Sequence, residues 1–516
     1  MAVDQGQIEP DDRPVRAGSS GCGDGAVLFF VTGGVLTFIG AAHVLAFTVD
    51  EASFEGILRV PPLLRPLIVA GFEIPVLLVL LLLGARWKTP YYRAIYRTWA
   101  VALVFSLVLS PARAVEITAA QSATFAQILL MGIFGLILLA LRDRWWFDAR
   151  SHFSLRGAKG IPVVLVLAAM LSYPWLAWGA LGSPLDTLLG MLAGLLYGVE
   201  SAWVLTSLLF SPAMAAAIKP GGKPVLTGFA ACVALFLMVT GLAYTGFQWY
   251  LFLPIPALGF ALYSLAWMSR SENNQPNAFP VAMLAGLAAA VPLVFVDPDE
   301  LSLVISSSPG ELAQWVIRAD VVSFFAALVF GLVLSFSWQQ IRPDRFSWRI
   351  GAGAAWLAAL LIYLFSGQPG FYGERLFVIF RDQADVSAAP RIADFDERRR
   401  TVYQSLVRQA DQSQAQIRSS LSQFGIGFQP YYLVNGMQVD GGPILRLWLE
   451  TRPEVDRVLA NPVLRPLPQG VPANRGTQPA PQTALWNQTM IGADRVWAEF
   501  RITGQGIVIG QSDSGV

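Results

Sequence analysis

Residues 63–85 read LLRPLIVAGFEIPVLLVLLLLGA, an almost unbroken apolar run. A spanning helix needs roughly 20 such residues, because in lipid every backbone N–H and C=O must be satisfied within the segment. Ten more stretches meet the same condition, at 26–48, 95–112, 123–141, 161–181, 185–210, 225–246, 249–268, 278–296, 321–338 and 348–365. The expected fold is therefore mainly α, a polytopic transmembrane helix bundle of about eleven spans over residues 26–366, preceded by a polar tail at 1–25.

Composition agrees. Of 516 residues, 54% are hydrophobic and 14% charged, whereas soluble domains carry about 25% charged residues. The net charge of +1 and the lack of any extended basic block exclude a nucleic-acid partner. Two cysteines, Cys22 and Cys232, are placed too differently to meet as a disulfide. Two histidines, His43 and His152, have no metal-ligand partner at useful spacing, so no zinc site is expected.

Lysine and arginine collect in alternate loops, among them Arg86, Lys88, Arg93 and Arg97, then Arg142, Arg144, Arg150, Arg156 and Lys159, and later Arg342, Arg345 and Arg349. The other loops hold little beyond Arg59, Arg113 and Arg318 and carry acids such as Asp50, Glu51, Glu55, Asp297 and Glu300. Cations stay on the cytoplasmic side. With eleven spans the N-terminus is expected inside a cell membrane and everything after Phe365 outside it. Two carboxylates fall inside spans, Glu73 and Glu200. Each invites a role in a polar pathway or sensor, but without a repeated Asp/Glu/His relay the simpler expectation is a Tyr, Trp or Arg partner on a neighbouring helix. Trp249 and Tyr250, near a span end, read as interfacial anchors.

Beyond Gly367 charges return, and a small α+β domain is expected over 374–468. Arg375 to Phe380 (RLFVIF) reads as a strand. From Asp394 to Phe424 the spacing of Val402, Leu406, Ala410, Ile417, Leu421 and Phe424 predicts one face of a long helix. Phe428 to Val439 reads as one aromatic-rich strand, Ile444 to Leu449 as a short helix and Val455 to Leu459 as a final strand. That order suits helices on one face of an antiparallel sheet. Residues 469–484, rich in Pro, Gly and Gln, read as an extended linker open to proteolysis.

The last segment, 485–516, predicts an amphipathic helix over Ile491 to Phe500, a turn at Gly504 and Gly506, and a buried strand through Ile507, Val508 and Ile509. The strand leads to Asp513, Ser514 and Gly515, the end of a strand where catalytic groups collect in open α/β sheets. Asp-Ser/Thr-Gly also occurs in aspartic peptidases, so the triplet alone does not choose a chemistry. The wider context, Ile491-Gly492-Ala493, Val496-Trp497, Thr503-Gly504-Gln505-Gly506, Ile507 to Gly510 and Asp513-Ser514-Gly515-Val516, resembles the subtilisin-like serine peptidases (subtilases). The stretches Pro430 to Asn435 and Arg452 to Val455 are similar to the propeptides of that family.

The resemblance implies that 485–516 opens an α/β subtilisin-like domain. In it Asp513 would orient a histidine that deprotonates a serine nucleophile, Ser514 would complete the motif, and Gly515 would let the chain turn beneath the site. The 374–468 domain would assist folding of its own catalytic domain and block its cleft until cut away; a stalk-like adaptor is the alternative. Protein or peptide substrates and membrane lipid are the implied partners. No cofactor is required, and a structural calcium ion is compatible with the family, although no site for one is visible. No histidine follows His152, so the triad cannot close within residues 1–516. The chain is expected to be the N-terminal part of a longer membrane-anchored zymogen. The competing expectation is a transporter or sensor with a non-catalytic tail, since anchoring needs one span only. No Glu-Glu, His-Glu or Gly-x-Ser-x-Gly constellation in the spans suggests an intramembrane protease.

Overall fold

The computed structural model describes residues 21–54, 60–115, 120–141, 160–215, 224–243, 248–271, 274–297, 300, 311–337, 340–341, 345–373, 375–461, 463, 483 and 486–502. Through residue 365 the described elements are helices, apart from one two-residue strand at Ala180–Leu181. They are α1 (Gly21–Phe54), α2 (Leu64–Arg86), α3 (Pro90–Leu109), α4 (Ala120–Leu141), α5 (Ile161–Trp178), α6 (Pro184–Val204), α7 (Ser211–Ala215), α8 (Pro224–Leu242), α9 (Pro254–Ala257), α10 (Gly259–Met268) and α11 (Ala278–Phe295). Two more follow, here α12 (Glu311–Ser337) and α13 (Phe346–Phe365).

Among the described residues ten helices are long and apolar enough to cross a membrane, and eleven crossings result if the bent pair α9–α10 counts as one. The pair is bent by 41°. Pro254 and Pro256 lie just ahead of the bend, where each removes a backbone donor. The chain is a multi-pass, mainly helical membrane protein. Helix α6 runs into α7 through a π-helical turn at Leu205–Phe210, so the two make one long span.

A short strand pair counts the crossings independently. β1 (Ala180–Leu181) follows α5, β2 (Gln368–Phe371) follows α13, and the two pair in parallel. Both must lie on one side of the bilayer, so an even number of crossings separates them. Among the described residues the spans α6–α7, α8, α11, α12 and α13 make an odd set, and a crossing by the bent pair α9–α10 would make it even.

Helices α8 and α11 are central and mostly buried, whereas α1, α2, α4 and α13 turn most of their side chains outward. Large aromatics fill the centre, Trp99, Trp175, Tyr96, Tyr197 and Tyr263 among them. Trp99 donates its indole N–H to the carbonyl of Ala230 at 2.9 Å, tying α3 to α8. Helices α6 and α11 touch through small residues. A Cβ added at Gly194 would lie 2.4 Å from the Ala290 backbone, and one at Gly198 2.4 Å from Gly286 Cα. Small faces substitute for hydrophobic driving force between helices in lipid, because they let backbones approach. The span-end anchor expected at Tyr250 is instead a core residue, 2% exposed, its ring tilted against Trp175 at 5.7 Å.

Residues 375–461 form an α+β module of β3 (Arg375–Phe380), α14 (Phe395–Gln423), β4 (Phe428–Tyr431), β5 (Gly436–Asp440), α15 (Pro443–Glu450) and β6 (Val455–Ala460). The single strand expected over Phe428 to Val439 is a hairpin, turning at residues 432–435. The Asn435-Gly436 pair is a strong turn signal, overridden in the sequence reading by the apolar content around it. The order is thus β-α-β-β-α-β, with an antiparallel sheet in the order β4-β5-β3-β6, the ferredoxin-like arrangement.

Alternation along β3 sends Leu376, Val378 and Phe380 into a core with Met437, Val439, Val458, Ile417, Leu421 and Leu449. Asp394 caps α14 by accepting from the Glu397 amide at 2.7 Å. Phe424, expected on the buried face of that helix, is 71% exposed, as it sits past the last helical residue.

Residues 466–516 form a second compact unit, in which α16 (Trp486–Met490) and α17 (Ala493–Phe500) are described. The helix expected from Ile491 begins two residues later, because Gly492 takes a left-handed conformation (φ +72°) and separates the two.

Candidate functional site

The residues singled out for catalysis, Asp513, Ser514 and Gly515, lie outside the described residues, as do the turn at 503–506, the strand at 507–510 and all of the 469–484 linker except Thr483. Of the family-like positions, Ile491 and Gly492 form the turn between α16 and α17, and Ala493, Val496 and Trp497 lie on α17. Val496 and Trp497 are about 40% exposed, so α17 keeps an apolar face open to a neighbour.

The module just ahead of the linker has a distinct chemistry. No helix of the module covers the second face of its sheet. Phe377 and Ile379 of β3, Gln438 of β5 and Leu459 of β6 point to that face, and the Tyr431 ring packs on Phe377 at 5.8 Å. The hairpin turn is held rigidly from the other side. Gln414 of α14, fully buried, donates through Nε2 to the Tyr431 carbonyl (3.0 Å), Asn435 Oδ1 (2.7 Å) and the Gly436 carbonyl (3.1 Å). Its Oε1 accepts from Arg418 at 2.6 Å. Asn435 in turn donates to the Asp382 carbonyl at 2.7 Å. The Tyr431 to Asn435 stretch, which carries part of the propeptide resemblance, is therefore a preformed corner and not a loose loop.

A second constellation lies within the bundle. Glu73 of α2 is fully buried, and its Oε1 accepts from Ser106 of α3 at 2.6 Å. Ser106 Oγ accepts from Thr240 of α8 at 2.8 Å. Arg113, in the 3-10 turn Ser110–Ala114 that ends α3, donates to the Thr240 carbonyl at 2.6 Å and lies 3.3 Å from His43 Nδ1 of α1. His43 Nε2 is 4.0 Å from Glu73 Oε1, and the ring stands edge-on to Phe252. Carboxylate, imidazole and guanidinium thus meet where four helical elements converge. Glu73 Oε2 and His43 Nε2 have no hydrogen-bond partner among the described residues.

The expectation of a Tyr, Trp or Arg partner for Glu73 is met in part, since Arg113 acts on it electrostatically. Its hydrogen-bond partner is the Ser106 hydroxyl, and Arg113 lies against His43 Nδ1. Arg113, assigned to an outer loop, is 3% exposed. Glu200 of α6 faces α4, where the absent side chain of Gly135 leaves its carboxylate room. It does not join the His43 cluster.

The cluster can lodge a proton on its carboxylate or imidazole, or pin the four elements together. Among the described residues no group of three or more His, Cys, Asp or Glu side chains is placed to hold a metal, and Cys232 is a free thiol. No protein-family model, curated protein or solved structure matches the chain.

Proposed function

We propose that this chain is the anchoring and propeptide part of a subtilisin-like serine endopeptidase made as a membrane-bound zymogen. The observation that carries the proposal is the β-α-β-β-α-β module, standing directly before the linker and the segment that resembles the start of a subtilase. Propeptides of that family are α+β modules, and here a sheet face with Phe377, Ile379 and Leu459 is left without a covering helix of its own. That face suits the protein's own catalytic domain as partner.

In this reading Asp513 orients the histidine of an Asp, His, Ser triad. No histidine follows His152 within residues 1–516, so this reading requires the triad's imidazole and hydroxyl from outside those residues, and peptide bonds of outer-side proteins are its substrates. The loop charges support an N-terminus in the cytoplasm and a module outside the cell membrane.

The test uses the product of the complete gene in native membranes. A fluorophosphonate serine probe should label it, and cleavage should appear between residues 469 and 484. Asp513→Asn should lower the cleavage rate by about 10⁴-fold. A correctly inserted wild-type protein that takes no label, or a downstream frame without histidine and serine, sinks the proposal. Orientation is checked separately: a membrane-impermeant thiol reagent added outside should reach Ala410→Cys and not Ser151→Cys.

The second reading, a transporter or sensor with a non-catalytic tail, is favoured by the His43, Glu73 and Arg113 cluster. Substitution there would change a bundle activity while leaving probe labelling intact.

A further inference from the structure

One end of the α+β module is apolar. An open cleft of about 450 Å³ is lined mainly by Leu421 and Phe424 at the end of α14, by Ile444, Leu445 and Trp448 of α15, and by Leu185 of α6, with Asp440 of β5, which pairs with Arg375, also in its wall. Ile444, Phe424 and Leu447 beside it are 77%, 71% and 65% exposed. These three large side chains facing water on one small module would be costly, at about 25 cal/mol per Å² of apolar surface.

Leu185 identifies what lies there. It stands in the first turn of a membrane-spanning helix, and Leu188, Leu192, Leu195 and Val199 continue its line down the outward face of α6. That line is lipid-facing. The cleft is therefore bordered by the first turn of a spanning helix, at the head of its outward-facing line.

The polar groups around α15 fit the headgroup level. Arg452 stacks over the Trp448 ring at 4.2 Å, and Arg446 pairs with Glu450 at 2.8 Å along the helix. Trp and Arg are the residues that sit at headgroup level, ring in the interface and charge directed to water or phosphate.

We propose that α15 is an interfacial helix: Ile444, Leu447 and Phe424 dip into the membrane leaflet on the module's side, and a phospholipid acyl chain occupies the cleft against Leu185. The module is held on the bilayer surface by this contact as well as by the β1–β2 pair. Nothing in this docking depends on the peptidase proposal; a non-catalytic tail would dock in the same way.

The test uses the full chain in lipid nanodiscs with Cys22→Ser and Cys232→Ser, carrying Ile444→Cys or, separately, Leu447→Cys labelled with an environment-sensitive NBD probe. Asp456→Cys, exposed on β6, is the reference. Emission from positions 444 and 447 should be blue-shifted and should lose most of its intensity when the nanodisc contains lipid with a doxyl quencher near the headgroup end of the acyl chain. Emission at 456 should remain water-like and unquenched. Water-like emission at both 444 and 447 overturns the proposal. So does a blue shift without doxyl quenching, which would mean that protein and not lipid covers the helix.

Discussion

Helices α6 and α11 approach so closely at Gly194 and Gly198 that a single methyl group should separate them. A Cβ at either site would lie 2.4 Å from backbone atoms of the facing helix, whereas carbon atoms rest at about 3.5–4.0 Å. The opposing atoms are main chain, so no rotamer change can relieve the clash, and the helices must part by about 1 Å. Overpacking of this kind costs about 1–3 kcal/mol, partly offset by the gain in helix propensity of about 1 kcal/mol for Gly→Ala.

Gly132 of α4 provides the control, since a Cβ there meets nothing within 4 Å. Gly132→Ala should be neutral or slightly stabilising. Gly194→Ala should lie about 1–3 kcal/mol below it, and Gly194→Ala with Gly198→Ala lower again. The assay is reversible unfolding in bicelles by denaturing-detergent titration. If Gly194→Ala and Gly132→Ala unfold at the same detergent fraction, the backbones of the two helices do not meet at Gly194.

Removing one member of the buried ionic cluster leaves the rest uncompensated, so Arg113→Met should destabilise the bundle by about 3–5 kcal/mol in the same titration, and a change under 1 kcal/mol would refute a structural role. In the module, Gln414→Leu removes three donor contacts to the hairpin and should cost about 1–3 kcal/mol; hydrogen exchange should speed up at residues 431–436 while the amides of β6 stay comparatively protected. Breaking the β1–β2 link with Tyr372→Pro, which deletes the N–H that donates to the Leu181 carbonyl at 3.0 Å, should leave the spans inserted and raise exchange at residues 368–371.

Much of the architecture was readable because lipid permits so few solutions. A backbone in hydrocarbon must close its own hydrogen bonds, so a run such as 63–85 announces a span without reference to any partner. The same holds for α14, whose period and Asp394 cap are local, and for β3, whose neighbours alternate. Misreadings arose where a local signal was weak or two signals competed. The hairpin at 432–435 was hidden inside an apolar, aromatic stretch, and Gly492 shortened a helix whose apolar spacing ran past it. At the proposed catalytic segment the resemblance reaches Asp513, while the described structure ends at Ile502.

From its sequence alone the chain is a many-span helical membrane protein with a charged-loop asymmetry and an α+β tail, since each of those properties is set by residues close together along the chain. Only the tertiary structure joins Glu73 to Ser106 and Arg113 to His43, 33 and 70 positions apart, and counts the crossings through β1 and β2. It also sets Leu185 beside Ile444. The physical reason is that burial and pairing between distant segments depend on how helices pack, and a hydropathy pattern is the same for every arrangement that hides the same faces.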